Sequence, residues 1–153
     1  MRLPEMPHFT LQTEPDGPIV SAAVFVSSAR AAALSQMGQS LPVPGLVRAL
    51  VDTGASFTAI EPAVLRELSL TPTGTIEIAT PSTGRGTFTT ETYDIDFAIG
   101  AGPEETPFLI TNLRVAAAEL YLRQGIHALI GRDILQRLII IYNGSTNHFT
   151  LCF

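Results

Sequence analysis

The chain has 153 residues, a formal net charge of -5, 46% hydrophobic residues and 15% charged ones, which fits one compact domain with a sizeable core and excludes two full domains. The acidic balance without any Lys/Arg cluster argues against nucleic acid or an anionic membrane surface as a partner. A single cysteine, Cys152, excludes an internal disulfide framework and an all-cysteine zinc site.

The first residues, "MRLPEMPHFTLQTEPDGP", lack the apolar block of a signal peptide, and "PIVSAAVFVSSARAAALSQMG" is too short and too polar to span a bilayer. A cytoplasmic location is the resulting expectation. Residues 1–18 are set apart as an N-terminal extension and 19–153 as the domain proper. After the turn at Pro15-Asp16-Gly17-Pro18, "IVSAAVFV" (Ile19 to Val26) is rich in β-branched and apolar residues and predicts a strand. Ser27 or Ser28 can N-cap a short alanine-rich helix that stops near Gly38. "LPVPG" (Leu41 to Gly45) excludes regular structure, and "LVRALV" (Leu46 to Val51) predicts a strand buried on both faces.

"FTAI" predicts another short strand, and Glu61-Pro62 opens a helix, "PAVLREL". "TIEIAT" and "TFTTETYDIDFAI" flank "PSTGRG" (Pro81 to Gly86) as a long hairpin with a glycine-rich tip. Its second arm sets Tyr93, Ile95, Phe97 and Ile99 on one face against Asp94 and Asp96 on the other. "ETPFLITNLRVA" and "HALIG" predict two more strands, "RDILQRL" a short helix, and "IIIYNGSTNHFTLCF" a closing hairpin around Asn143-Gly144. Mostly short strands with one or two short helices predict an all-β fold, a closed or nearly closed barrel.

The chemistry concentrates in "ALVDTGASFTAI" (residues 49 to 60), where an apolar strand runs straight into Asp52, Thr53 and Gly54. An acid at the end of a buried strand sits where water is scarce and its ionisation can be tuned, and a glycine there brings its N–H close to the carboxylate. The bland alternative is a β-turn whose Asp bonds its own backbone. A second motif, "ALIGRDIL" (Ala128 to Leu135), weighs between them: Leu129 and Ile130 followed by Gly131, Arg132 and a short helix.

Two such motifs in this order, with a glycine-tipped hairpin between them, resemble the retropepsin-like aspartic proteases, and the helix "PAVLREL" resembles the bacterial and cellular members more than the viral ones. The resemblance covers about Ile19 to Phe153. It implies an acid-protease barrel with a flap hairpin, Asp52 as the catalytic acid, Thr53 and Gly54 as support of the catalytic loop, and Leu129, Ile130, Gly131 and Arg132 as a motif packed behind it. The chain holds one such Asp and the chemistry needs two, so the resemblance implies a homodimer with one acid from each identical subunit. Two carboxyl groups about 3 Å apart cannot both ionise, so the pair holds one shared proton and activity is expected at acid to mildly acid pH. Neither metal nor other cofactor is implied.

The implied substrate is an extended peptide or protein segment. Gly54, Ala55 and Ser56 lie below it and Ser82, Thr83 and Gly84 above it, with apolar pockets lined by Ile60, Ile76 and Ile78. Many viral members carry an acid shortly after the Asp-Thr-Gly-Ala, paired with the late arginine. Here Ser56 and Phe57 stand there, so the candidate partners of Arg132 are Asp133 or a backbone carbonyl. The segment Ser27 to Pro44 is longer than in a viral enzyme. A competing expectation is a non-catalytic peptide-binding or dimerisation module on the same barrel. Self-cleavage within "EMPHFTLQ" is a third. His8, His127 and His148 have no metal-ligand spacing.

Overall fold

Apolar residues at every second position recur along the chain and turn one face of each strand toward a common interior. The computed structural model describes residues 6–79, 84, 86–100, 105–120 and 124–153. Its strands are β1 (His8–Gln12), β2 (Ile19–Val26), β3 (Gly45–Val51), β4 (Ala59–Ile60), β5 (Gly74–Ile78), β6 (Phe88–Ile99), β7 (Phe108–Ala117), β8 (Ala128–Ile130), β9 (Ile139–Asn143) and β10 (His148–Cys152). Three short helices, α1 (Ser28–Gln36), α2 (Pro62–Glu67) and α3 (Arg132–Leu135), complete it.

The larger sheet runs β2-β3-β8-β4-β7-β6, and β2 pairs again with β6, so six strands close into a barrel. Closure leaves no free edge among these six. β5 lies outside the ring and, among the described residues, pairs with β6 alone as the other arm of a hairpin. Val24, Ala49, Ile60, Ile95, Phe97, Val115, Ala128 and Ile130 are fully buried inside. Among the described residues no helix is long and apolar enough to cross a membrane.

Local chemistry explains the helix ends. The Ser27 hydroxyl accepts a hydrogen bond from the Arg30 N–H and starts α1 as an N-cap. Pro62 begins α2, and Glu61 turns its carboxylate away from the helix to accept from the Leu120 N–H at 2.8 Å. Asp96, on the face of β6 away from the core, is nonetheless buried. It accepts from the Ser28 hydroxyl and from the backbone N–H of Asn112, which stands at φ +53° where the β6–β7 register shifts.

Three expectations are corrected here. β3 is not buried on both faces. Val47, Ala49 and Val51 point into the barrel, but on the other face Leu46 is 76% exposed and Arg48, half-buried, turns outward to pair with Glu14. The strand expected over "FTAI" shrinks to Ala59–Ile60, since Phe57 and Thr58 belong to the preceding loop. The closing hairpin turns through four residues, 144–147, and its left-handed residue is Asn147. Asn143 acts through its side chain, which accepts from the Ser145 hydroxyl and the Thr146 N–H.

A second sheet of three antiparallel strands, ordered β1-β10-β9, lies outside the ring. Its inner face is apolar: Phe9, Phe149 and Leu151 are buried, and the Phe153 ring packs against Phe9 and Phe108 at centroid distances of 5.2 and 5.0 Å. β1 lies in the stretch ahead of Ile19, which the resemblance did not cover. Gly100, at φ +80°, passes so close to the Phe9 ring that a Cβ there would stand 2.2 Å from it.

Candidate active site

Asp52 directly follows β3, and the strand's pairing with β8 continues one step to reach it: Val51 lies beside Ile130, and the Asp52 N–H donates to the Ile130 carbonyl at 3.0 Å. The chain then turns. The Ala55 N–H donates to the Asp52 carbonyl at 3.2 Å, and the Gly54 N–H donates to the Asp52 carboxylate at 2.8 Å. Gly54 makes that approach possible, since a Cβ on it would stand 3.1 Å from the same carboxylate oxygen. Asp52 itself is half-buried, while Thr53, Gly54 and Ser56 are exposed around it. The result is a carboxylate held by a backbone donor at the mouth of the loop and open on its other side.

Two braces hold the loop from behind. Arg132 is the first: its guanidinium donates to the carbonyls of Thr53 at 2.9 Å and Gly54 at 3.2 Å and to the Ser56 hydroxyl at 2.7 Å, while its backbone N–H donates to the Ala55 carbonyl at 2.9 Å. Of the two candidates for its partner, backbone carbonyls are therefore observed, joined by a hydroxyl. Asp133 forms the second brace. Its carboxylate accepts from the Thr58 N–H at 3.0 Å, the Thr58 hydroxyl at 2.8 Å and the Ile134 N–H at 2.9 Å. The same Thr58 hydroxyl accepts from the Gly131 N–H at 3.2 Å. Gly131 lies against the backbone of the loop, where an added Cβ would meet the Phe57 carbonyl carbon at 2.5 Å and the Thr58 nitrogen at 2.9 Å.

Leu129, Ile130, Gly131 and Arg132 thus stand together directly behind Asp52, Thr53 and Gly54. Gly84, exposed at φ +61°, lies in the connection between β5 and β6. Ser82 and Thr83 lie outside the described residues. Ala55 has both its N–H and its carbonyl engaged within the loop. Ile76 and Ile78 are half-buried on β5, but Ile60 is wholly enclosed in the core and lines no surface; as one of two adjacent residues of β4 bonded to strands on either side, it points inward.

Between the loop and the base of the β5–β6 hairpin runs an open groove of about 310 Å³, lined by Phe57, Ile76, Thr92, Arg114, Val115 and Ala116 among others. Its walls are mixed, with Phe57 46% exposed and Arg114 paired to Asp94. That contact holds the Asp94 carboxyl below its ordinary value, chiefly through the hydrogen bond from Arg114. Neither Phe57 and Val115 nor the Thr58–Asp133 brace stands out in the sequence. The brace joins residues 75 apart, and no local spacing connects them.

A sequence profile of the family described as "Aspartyl protease" matches residues 23–134. No curated protein matches. Among solved structures, the chain is similar to a retropepsin-like aspartic protease from Rickettsia conorii, with a TM-score of 0.55 and 15% identity over 97% of this chain and 93% of that one. It also matches the retroviral protease-like domain of Ddi1 from Leishmania major, with a TM-score of 0.41 and 15% identity over 88% of each chain.

Proposed function

This chain belongs to the aspartyl protease family, and from that premise we propose that it is a homodimeric endopeptidase in which Asp52 of each subunit forms half of a catalytic dyad. One observation carries the proposal. The Asp52 carboxylate stands half-exposed at the end of a barrel strand, held by the Gly54 N–H and backed by Gly131 and Arg132, and the chain has one such acid.

The chemistry follows from a single proton shared by two facing acids. Water held between the carboxyl groups attacks the scissile carbonyl carbon; the ionised acid takes one water proton, and the protonated acid gives its own to the carbonyl oxygen. A neutral gem-diol results. Transfer of a proton to the amide nitrogen then lets the C–N bond break, releasing an amine and a carboxylic acid and returning the dyad to its singly protonated state. Thr53, beside the acid, fixes the loop in register with its partner.

The substrate lies extended over Gly54, Ala55 and Ser56, under the β5–β6 hairpin that carries Ser82, Thr83 and Gly84. Its backbone bonds give affinity, and side chains entering the groove beside Phe57, Ile76 and Val115 give preference for apolar residues near the cut.

The test is cleavage of an unstructured protein at pH 4 to 6 by the wild-type chain and by Asp52→Asn. Fragments from the former and none from a folded Asp52→Asn variant support the proposal. Equal cleavage by both refutes it, and absence of cleavage by the wild type across that range favours a peptide-binding module.

A further inference from the structure

The groove beside the catalytic loop is walled by Phe57, Ile76 and Val115, yet it also holds a charge: Arg114 is the ionic residue of its lining. A guanidinium can only donate hydrogen bonds. Asp94 accepts from Nε at 3.0 Å and from Nη2 at 3.4 Å, which fixes the plane of the group, and among the described residues Nη1 has no partner. The Arg114 side chain remains 63% exposed, against 25% for Asp94, which is not part of the lining. The groove therefore meets the cation and not the acid behind it.

A second donor lies on the same face. Thr92 is 4% exposed; its carbonyl accepts from the Thr73 N–H, but its hydroxyl has no hydrogen-bond partner among the described residues. Buried hydroxyls ordinarily have one. Gly74 stands opposite across the β5–β6 ladder, where a Cβ would lie 3.2 Å from that hydroxyl oxygen, and no positive φ calls for glycine there. What the missing side chain does is leave the hydroxyl uncovered. Thr92 pairs with Ala116, two residues along β7 from Arg114, so hydroxyl and guanidinium are neighbours on one side of the sheet.

We infer that this groove is a subsite for an acidic side chain of the substrate, with Arg114 and Thr92 as its specificity-determining residues and Glu preferred to its neutral isostere Gln. The carboxylate accepts from the uncommitted edge of Arg114 and from the Thr92 hydroxyl, and the methylene stem lies against Phe57, Ile76 and Val115. A basic side chain would meet a like charge. Gln would offer a neutral acceptor, whose bond to the guanidinium is weaker than that of a carboxylate. Apolar walls lower the local dielectric and strengthen the contact at their end. Phe57 belongs to the loop that carries Asp52, and Asp133 anchors its neighbour Thr58, so the subsite is tied to the catalytic acid. The inference rests on the peptidase reading above and names a substrate feature for it.

The experiment uses the full chain and peptides blocked at both ends, so that a side chain is their only carboxylate. One Glu, or one Gln, is walked through the three positions on either side of a common cleavage site at pH 6, where Glu is ionised. Expected at one position is a Glu-to-Gln ratio in kcat/KM of at least about tenfold, the worth of a charge-assisted bond. Arg114→Gln brings that ratio close to one, and Thr92→Val lowers it severalfold. Equal cleavage of Glu and Gln peptides at every position overturns the inference, as does a preference that survives Arg114→Gln; the peptidase reading stands in both cases. Fluorescence anisotropy gives Kd for the same peptides on Asp52→Asn and on Asp52→Asn/Arg114→Gln. If the wild type cleaves nothing, a Glu preference in Kd that Arg114→Gln removes upholds the subsite while the peptidase reading fails. Equal Kd values, or no binding of either peptide, overturn it.

Discussion

Replacing Asp133 by Asn removes one carboxylate oxygen and leaves the shape of the side chain almost unchanged. In the wild type one oxygen accepts from the Thr58 hydroxyl and the Ile134 N–H, and the other from the Thr58 N–H. The amide oxygen of Asn can serve the first pair, but its NH2 then faces the Thr58 N–H, donor against donor. Thr58 is fully buried, so that N–H finds no water. An unsatisfied buried donor costs about 1–3 kcal/mol, and two bonds weakened by loss of the charge add about 1 more, for a total of about 2–4 kcal/mol. For a domain of this length that lowers Tm by roughly 4–16 °C. The assay is thermal and urea unfolding at one fixed protein concentration, because self-association shifts the midpoint, with hydrogen exchange at the Thr58 amide as the local reporter. A variant within about 0.5 kcal/mol of wild type, as for an ordinary surface change, with the Thr58 amide still protected, would refute the brace.

Gly131→Ala tests the close approach behind the loop: its Cβ would meet backbone atoms of Phe57 and Thr58, which cannot escape by changing rotamer, so a loss of about 2–3 kcal/mol is expected in urea unfolding. Arg132→Lys replaces a three-bond fork by one ammonium that cannot span the same acceptors; kcat/KM for peptide cleavage is expected to fall about tenfold or more, with the dimer retained in sedimentation. Asp94→Asn probes the ion pair beside the groove. The Asp94 carboxyl is held below its ordinary value by Arg114, so its contribution is present above the unfolded-state value of 3.8 and lost as pH falls through the lower folded-state value. Unfolding curves should therefore show the variant slightly less stable at pH 7 and the two proteins converging at strongly acid pH, with the neutral-pH difference shrinking in high salt.

The legible part of this chain was the part written in local pattern. Val47, Ala49 and Val51 alternate into Asp52, and Ile95, Phe97 and Ile99 alternate along β6, so the strands and the acid at the end of one could be placed without coordinates. Barrel closure through β2 and β6 was foreseen only as a class, because pairing between distant strands leaves no local mark. β1 was missed for a related reason: five residues with two inward side chains, Phe9 and Leu11, are too short to stand out until β10, more than a hundred residues later, supplies the partner. Leu46 misled because an apolar run predicts two buried faces, and only the folded molecule shows that Leu46 stands exposed on one of them. At the site, Asp133 adjoins Arg132 in sequence, yet the two side chains hold different parts of the loop. Adjacent residues at a helix start point in different directions, and charge alone does not say which acceptor each will reach.

The central claim is that one chain carries half of a catalytic centre. The most direct measurement is the separation of the two Asp52 carboxyl groups in the crystal structure of the assembled molecule with a non-cleavable peptide bound. The account predicts two acids on the two-fold axis within hydrogen-bonding range, about 3 Å apart. Two Asp52 side chains farther apart than a single water can bridge, in material that still cleaves polypeptides, would contradict it.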